Sequence, residues 1–508
     1  MKTFWTNFSS GLPGVTVIVT QQDSNGTIVG LGDAALLSEA RGADRVEDLE
    51  GLFVAPGFWD SHFHLLDYGR SFRRLRFDAQ ANRSTVLNQV RAEAARVAPG
   101  EWIIGGGWNK ESFEAPPHWS LLDEASPNHP VLLMSLDYHT AWVNRLGAQR
   151  LGIDEREEAE LVRDPHGQWT GILHETRAFR AQEEAMRQDD SHLLTDLKRG
   201  VREAQRRGLV GVTTMEDRFG LLALQDLGAD ERMLRVQVFL RDRHAPSLLD
   251  AGIRAGFGDD FLRLFGIKRF MDGALGSQTA WMKSPYETGT GNRGMGLLTE
   301  GDLREEARML AEQGLLVAVH AIGDQAVSAA VSALRSVAPG PGGRRSRIEH
   351  AQLIDTVDLD VIQGSALALS MQPVHLLFDR PIADRHWGDR SRHAFRFRDI
   401  LARGVPLIFG SDAPVADADP VPGLWAAVHR GAPIEEPWYS EQRLTAEEAI
   451  WAYTRGPALV DARPAGLLQV GLWGDFTLWR TDPREALIHR EYDALAVAGT
   501  VVAGRRIW

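Results

Sequence analysis

Hydrophobic and polar positions follow one rhythm near the two ends of the chain and another in its middle. Residues 13–54 and 466–508 contain short β-like runs, such as Val15–Thr20 and Ala496–Val502, separated by Gly, Asp and Asn turns. Runs of this kind without a helical period predict strands. The two β-rich ends therefore predict one small β-sandwich domain, built from residues 1–54 and 466–508.

In the middle of the chain, short apolar runs that end in polar residues alternate with helical stretches such as Asp302–Gln313 and Gln325–Val337. Eight such runs predict an α/β fold, a (β/α)8 TIM barrel over residues 55–465, in which catalytic residues lie at the C-terminal ends of the strands. The runs are Phe58–His64, Val210–Glu216, Arg235–Arg241, Leu264–Asp272, Leu315–His320, Arg347–His350, Ala368–His375 and Pro406–Asp412.

Residues 70–200 do not keep this rhythm and are too long for a connection between a strand and a helix. We interpret them as an insertion after the first barrel strand that covers the active-site mouth and shapes the substrate pocket. The segment is rich in aromatic residues. Most of these belong to its own core, and one or two, Trp108 among them, are expected to line an apolar pocket.

The bulk composition limits the classes of molecule that the protein is expected to bind. The 508 residues are 44% hydrophobic and 25% charged, as in soluble globular proteins. The net charge of −13 disfavours nucleic acid and anionic membranes, so a small-molecule substrate is expected. No stretch reaches the ~18 apolar residues of a membrane span, and residues 1–20 lack a signal-peptide pattern, which predicts a cytoplasmic protein. A homo-oligomer remains open.

Two residue counts bear on the chemistry. The chain has no cysteine, which excludes disulfides, thiolate nucleophiles and Cys-ligated zinc. Any metal must therefore bind His, Asp, Glu or a modified side chain. There are 51 Arg but only five Lys, and Lys268 lies within an apolar run. Since Arg is the better ion-pairing residue and a poor amine nucleophile, a lysine there indicates a chemical role.

The polar endings of the runs contain a candidate metal site. His62 and His64 are two residues apart, so in a strand they share a face and could grip one cation. By itself this pair could equally be two hydrogen-bonded interior histidines. His320 and His350 each end a later apolar run, and Asp412 ends the eighth. The ordered set predicts a metal-ligand shell.

Six segments carry a resemblance to a known family. They are VAPGFWDSHFHL (54–65), GIKRFMDGALGSQTA (266–280), VHAIGD (319–324), RIEHAQ (347–352), MQPVH (371–375) and FGSDAPV (409–415). As an ordered set they resemble the amidohydrolase superfamily, closest to its YtcJ-like branch, which includes N-substituted formamide deformylases. The resemblance extends from about residue 50 to about residue 480.

The resemblance implies two divalent metal ions, with zinc expected and manganese or iron as alternatives. It implies that His62 and His64 bind the more buried ion and that His320 and His350 bind the more exposed one. Asp412 is expected beside the metal-activated hydroxide. Lys268 resembles the lysine that binuclear members carboxylate with carbon dioxide so that it bridges both ions.

The expected reaction is hydrolysis of a carbon–nitrogen bond in an amide, an N-acyl or N-formyl compound or a cyclic amide. Asp412 would move the proton from the attacking hydroxide to the leaving group. His375 could hydrogen-bond the substrate or merely close its loop.

Four further residues are expected to contact substrate: Asp272, Gln278, Trp108 and His139. Asp272 could instead orient Lys268. His139 and a second histidine of the insertion, His174, could equally be structural. Many branch members are expected to have Arg where this chain has Gln278, and Gln cannot pair bidentately with an anion. Specificity is therefore not transferable from relatives.

Two other classes of function remain. A mononuclear zinc aminohydrolase, or deaminase, would use His62, His64, His320 and Asp412. Lys268 argues against it, as does the absence of a Glu just after His320. A noncatalytic ligand-binding barrel is the third reading. Its weakness is that all six expected ligand positions are intact.

Overall fold

The structure is a computed structural model that describes residues 1–78, 80–135, 140–154, 161–189, 192–228, 233–289 and 291–508. The described chain forms two compact units. The first joins residues 1–69 to residues 197–508, and the second consists of residues 70–196. The second unit corresponds closely to the predicted insertion. The terminal segments share the first unit with the central region, and their separation as a domain of their own stays a prediction.

Eight parallel strands form the central sheet of the first unit, and each one pairs with the next strand of the set. They coincide with the eight predicted apolar runs. A two-residue strand, Phe257–Gly258, adds antiparallel to the fourth. The eight strands are β1 Phe58–Phe63, β2 Leu209–Glu216, β3 Arg235–Arg241, β4 Leu262–Phe270, β5 Leu316–Ala321, β6 Ser346–His350, β7 Leu367–Met371 and β8 Leu407–Phe409.

The sheet nearly closes into a barrel where β8 returns to β1. The backbone N–H of Asp412 donates to the carbonyl of His62 at 2.8 Å, and that of His64 donates to the carbonyl of Ala413 at 2.9 Å. Gly410 permits this approach, because a Cβ at that position would lie 2.4 Å from the backbone nitrogen of His62. The seam therefore sets His62, His64 and Asp412 side by side.

Helices alternate with the barrel strands along the chain and continue after the last of them. Side-chain caps begin several of them: Thr299 accepts the N–H of Asp302, and Thr445 forms a capping box with Glu448. The helices that follow β1 to β8 are Leu65–Ser71, Leu193–Arg206, Arg218–Asp226, Ala245–Asp250, Glu300–Glu312, Asp324–Leu334, Thr356–Ile362, Leu376–Trp387, Phe397–Ala402, Pro420–His429, Ala446–Tyr453, Arg455–Val460 and Pro483–Ile488.

Two four-stranded sheets come from the chain ends. One contains Lys2–Thr6, Val17–Gln21, Ile28–Gly32 and Arg45–Asp48, and the other contains Phe53–Pro56, Phe476–Trp479, Val497–Val502 and Arg505–Arg506. Side chains from both ends, including Trp5, Ile18, Val54, Phe476 and Val501, pack in one buried cluster. The termini thus share a hydrophobic core, while a β-sandwich domain remains a prediction.

The second unit has its own six-stranded mixed sheet and two hydrophobic clusters. Its strands are Leu75–Arg76, Ile103–Trp108, Val131–Ser135, Thr140–Val143, Leu161–Arg163 and Trp169–His174, and its helices are Arg83–Ala94, Trp119–Ala125, Arg145–Arg150 and Glu175–Gln188. In the described parts of both units, no helix has the length and apolar character needed to cross a membrane.

Candidate metal centre

A cavity of about 310 Å³ lies in the first unit, among residues at or just beyond the C-terminal ends of the barrel strands. In a barrel of this kind that end carries the chemistry. Its polar lining residues are His62, His64, Lys268, His320, His350, Gln352, His375, Asp379 and Asp412, and its apolar ones include Phe270, Leu275, Ile322, Phe378 and Val415. The predicted histidines, lysine and aspartate therefore meet in one place.

His62 and His64 converge on one oxygen of Asp412. The Nδ1–H of His62 donates to Oε2 of Glu349 at 2.6 Å, which leaves the lone pair on Nε2 of His62. That Nε2 lies 3.4 Å from Oδ1 of Asp412, and Nε2 of His64 lies 3.1 Å from the same oxygen. The contact between His64 and Asp412 is a hydrogen bond while Nε2 of His64 carries a proton, and with that proton lost the two imidazole nitrogens and the carboxylate oxygen match the donor set of a divalent cation.

A second group of donors forms around the same carboxylate. Ligand atoms of His350, His375 and Asp412 all lie within 4.8 Å of one another. The ring of His320 is 4.5 Å from that of His350, and its Nε2–H donates to the carbonyl of Gly273 at 2.9 Å. Because a carbonyl only accepts, Nδ1 of His320 carries the lone pair. His320 lies next to this group, and its role as a metal ligand stays a prediction. His375, expected to contact substrate or close its loop, has a ligand atom within the group.

Two of these side chains leave their strands through unusual backbone conformations. His350 has φ 69° and Asp412 has φ 61°, in the left-handed region that non-glycine residues seldom occupy. Such conformations persist only where the surroundings enforce them, and they cluster at functional sites. Here they turn both side chains toward the shared cavity.

Burial sets the protonation states of these donors. It lowers the pKa of His320 to about 3 and places that of His350 well below its ordinary value, so both rings are neutral near pH 7. Burial acts to raise the pKa of Asp412, but the surrounding histidines hold it well below its usual range. Burial acts to lower the pKa of His64 as well, but its hydrogen bond with Asp412 raises it overall. The neutral rings of His320 and His350 and the ionised Asp412 are the forms that bind a divalent metal.

Lys268 is buried on β4 beside these groups. Only 2% of it is exposed, and among the described residues its Nζ has no hydrogen-bond partner. Burial lowers its pKa to about 8, although Glu349 and Asp412 act in the opposite direction. A buried amine that lacks a partner is costly unless it has another use. Its position fits the ligand role predicted for it.

Two of the expected substrate contacts lie outside the cavity lining. The carboxylate of Asp272 accepts backbone N–H groups of Trp281, Ile322 and Gly323 at 2.8–3.0 Å, and Asp272 is 1% exposed. The structure therefore uses it to anchor the loops after β4 and β5. Gln278 lies in the turn after β4 with φ 54° and, among the described residues, does not line the cavity. Substrate contacts for both remain untested.

The predicted site residues of the insertion belong to the second unit. Trp108 is 2% exposed, packs in a hydrophobic cluster of that unit, and donates its indole N–H to the carbonyl of Leu133 at 2.9 Å. The structure gives Trp108 a packing role, and its contact with substrate stays a prediction. His139 lies outside the described residues. His174 is exposed, and its ring bonds Thr140 at 3.0 Å.

Sequence reasoning missed three residues of the site: Glu349, Gln352 and Asp379. Glu349 is fully buried and bonds His62, so it orients a predicted ligand. Gln352 and Asp379 line the cavity and bond each other. Glu349 could have been identified from the sequence, because it is a charged residue within the predicted strand 347–350. The motif around His375 contains no feature that would have identified Asp379.

Comparison with known proteins adds independent findings. The model of the Amidohydrolase family matches residues 45–508. The chain is 29% identical over 513 residues to the putative amidohydrolase YtcJ of Bacillus subtilis, covering 95% of this chain and 94% of the relative. It is 24% identical over 490 residues to the N-substituted formamide deformylase of Arthrobacter pascens, covering 88% and 87%.

A solved structure extends the similarity to the fold. The crystal structure of an uncharacterized metal-dependent hydrolase from Pyrococcus horikoshii matches with a TM-score of 0.83 and 25% identity, covering 95% of this chain and 98% of that chain. The family match includes the eight barrel strands and the residues that line the cavity.

Proposed function

This chain belongs to the amidohydrolase family and is a metal-dependent hydrolase, and from that premise we propose that it cleaves a carbon–nitrogen bond of a small molecule at the barrel cavity. The proposed substrates are amides, N-acyl or N-formyl compounds and cyclic amides. The relative named N-substituted formamide deformylase supports inclusion of the formyl compounds.

One observation carries the proposal: Asp412 belongs to two groups of side chains that could hold a metal ion, one with His62 and His64 and the other with His350 and His375. A shared carboxylate between two donor groups suits two cations better than one. The position of His320 beside His350 supports its proposed role as a further ligand of the second group. Lys268, if carboxylated by carbon dioxide, would turn an unpaired buried amine into an anionic ligand for both ions.

Divalent ions bound by these residues would polarise the scissile carbonyl and lower the pKa of water at the site. The ionised Asp412 is suited to accept the proton of the attacking water and to return it to the leaving nitrogen. His375 is buried, and among the described residues its Nε2 has no hydrogen-bond partner. We propose that His320 and His350 hold the second ion and that this nitrogen of His375 donates a hydrogen bond to the substrate carbonyl, with metal binding by His375 as the alternative.

The composition of the chain supports a small molecule as the substrate. A net charge of −13 favours small molecules over nucleic acid or anionic membranes as partners. We also propose that the protein is cytoplasmic and that its metal is zinc rather than manganese or iron.

A hydrolysis screen tests the function directly. The purified protein would be offered matched N-acyl, N-formyl, cyclic amide and ester compounds with added zinc or manganese. The expected result is amine release that stops on chelation and returns with metal. A His62→Ala variant should be inactive, whereas His489→Ala, a histidine with 62% of its side chain exposed, should match the wild type. Cleavage of esters alone would overturn the carbon–nitrogen assignment.

Metal analysis of the same samples separates the competing functions. About two ions per chain supports the binuclear hydrolase. One ion per chain supports a mononuclear deaminase, which would release ammonia from a cyclic amidine. A protein that binds no metal and cleaves nothing would be a ligand-binding barrel.

A further inference from the structure

Beyond the proposed metal ligands, the cavity wall is mostly apolar but contains one carboxylate. Phe270, Leu275, Ile322 and Phe378 line this wall, and Asp379 lines it with them. Asp379 lies in the first turn of the helix Leu376–Trp387, one turn after His375. It is partly buried, and burial is the main cause that raises its pKa.

A single amide holds this carboxylate in place. Gln352 donates a hydrogen bond from Nε2 to Oδ2 of Asp379. Gln352 is itself buried, and its backbone carbonyl accepts the N–H of Phe395 at 2.9 Å, so its position is fixed. Among the described residues, no arginine or lysine forms an ion pair with Asp379, and no hydrogen bond reaches its Oδ1.

A carboxylate in such surroundings has more acceptor capacity than the protein uses. An ionised carboxylate offers about four lone-pair sites, and removing it from water without partners is unfavourable. His375 lines the same cavity and acts to lower the pKa of Asp379, but among the described residues it forms no hydrogen bond with that carboxylate. Further donors for Asp379 can therefore come from water or from a bound molecule. A charge-assisted bond to a ligand N–H is roughly twice as strong as a neutral one.

We propose that Asp379, held by Gln352, binds a protonated amine of the substrate and selects small molecules that combine this group with an apolar body. The inference rests on the proposed function, because the amine would lie in the cavity where the carbon–nitrogen bond is cleaved. The same carboxylate disfavours substrates that carry an anionic group there. Asp379 is then a specificity residue, separate from the metal-binding and proton-moving side chains.

The first test measures binding and does not depend on turnover. Benzylamine, benzyl alcohol and phenylacetate share an apolar ring and differ in charge, and each would be titrated into the metal-loaded protein by calorimetry. Asp379→Asn keeps the size of the side chain and removes its charge. Benzylamine should bind this variant about 10–100-fold more weakly, which is the range for a lost hydrogen bond to a charged group. Benzyl alcohol should change little, and phenylacetate should bind more tightly.

Each ligand is compared between the wild type and the variant. Any direct contact of the ligand with metal contributes to both affinities and cancels in their ratio. Asp389→Asn is the matched control, since 99% of that side chain is exposed, and it should leave all three affinities unchanged. Gln352→Met is a second variant, which removes the hydrogen bond that holds Asp379. It should weaken benzylamine binding less than Asp379→Asn does. Melting curves by circular dichroism check that each variant folds.

The second test uses turnover once a substrate is found. Two amides that differ only in an amino group or a hydroxyl group on the same position would be compared. The wild type should prefer the amine by kcat/KM, and Asp379→Asn should abolish this preference while it still cleaves the neutral amide. An equal loss for both amides would place Asp379 in catalysis and overturn the proposal. Unchanged benzylamine binding in a folded Asp379→Asn protein would also overturn it, whatever the hydrolysis screen finds.

Discussion

Two buried cations on neighbouring barrel strands have opposite surroundings. Arg235, the first residue of β3, is 1% exposed and forms two hydrogen bonds with Asp475, at 2.6 and 3.0 Å. Its remaining N–H groups reach Asn25 and the carbonyl of Asp260, and its guanidinium stacks on Trp473 at 3.9 Å. Lys268, near the end of β4, is 2% exposed and has no hydrogen-bond partner among the described residues.

The difference separates stability from chemistry. At the N-terminal end of a barrel strand, buried charges serve packing, and Arg235 has every donor paired. At the C-terminal end, Nζ of Lys268 has no hydrogen-bond partner among the described residues that would make its burial favourable. Local violations of this kind are expected at functional sites. The two ends should therefore respond differently to substitution, the cavity end mainly in activity and the Arg235 end mainly in stability.

The largest effect is expected at the cavity end from Asp412→Asn. Asn keeps the shape and one oxygen but cannot accept the proton, so turnover should fall by about 10²–10⁴-fold while metal is retained. Steady-state kinetics on metal-replete protein would measure it. Near-normal turnover would remove Asp412 from the reaction.

At the other end, Arg235→Met should lower the free energy of unfolding by about 3–5 kcal/mol, because it leaves the buried Asp475 without its cation. Denaturant unfolding would measure the loss. Arg206→Met, at an arginine with 57% of its side chain exposed, should change stability by less than about 1 kcal/mol. If the folded Arg235→Met protein lost its activity but not its stability, the contrast between the ends would fail.

Lys268→Arg keeps the positive charge but cannot form the carbamate. We expect loss of the metal pair and at least the ~10–100-fold loss in metal affinity or activity seen when outer metal contacts are removed. Lys268→Ala should lose the pair too, yet regain some activity with added short carboxylic acids. Lys283→Arg is the control, since Lys283 pairs with Asp355 outside the cavity. The bridging role would be refuted if the native mass of the wild type lacked the carbon dioxide of the carbamate and if Lys268→Arg bound the full complement of metal.

Glu349→Gln should have a smaller effect. Gln still accepts the His62 N–H but without charge, so metal affinity should fall by about tenfold, the lower end for such a contact. Calorimetric titration with zinc would measure it. Glu312→Gln, at a glutamate with 63% of its side chain exposed, should leave affinity unchanged. Unaltered zinc affinity in Glu349→Gln would mean that the hydrogen bond does not orient His62 for binding.

The smallest effect at the metal site is expected from the second unit. Trp108→Phe removes the hydrogen bond to Leu133 and part of a buried ring, which should lower stability by about 1–3 kcal/mol without change in metal content. Trp451→Phe, at a tryptophan that is 46% exposed, gives the comparison. Loss of metal in Trp108→Phe would show that the insertion takes part in holding the ions.

The sequence alone determined the barrel and most of its candidate ligands. Strands buried on both faces are near-continuous apolar runs as a rule, so most of the eight strands were visible, and parallel strands bring their polar ends to one edge. β6 is the exception, since its buried sequence SRIEH was marked by its place in the order and by its motif. His62 and His64 followed from the period of two along β1. His320, His350, Lys268, His375 and Asp412 followed from their places at strand ends or in motifs, and all of them line the cavity.

Only the tertiary structure decided what surrounds these residues. The left-handed turn at His350 breaks the alternation of the strand, so Gln352 could not be placed by counting. Glu349 lies before the turn, but its partner His62 is 287 positions away. Asp272 looked like a substrate contact from its motif, yet backbone N–H groups from residues 9 to 51 positions away occupy its carboxylate. A local sequence pattern determines which side chains are buried and with what periodicity. Hydrogen-bond partners that are distant in sequence depend on how the elements pack in the folded protein.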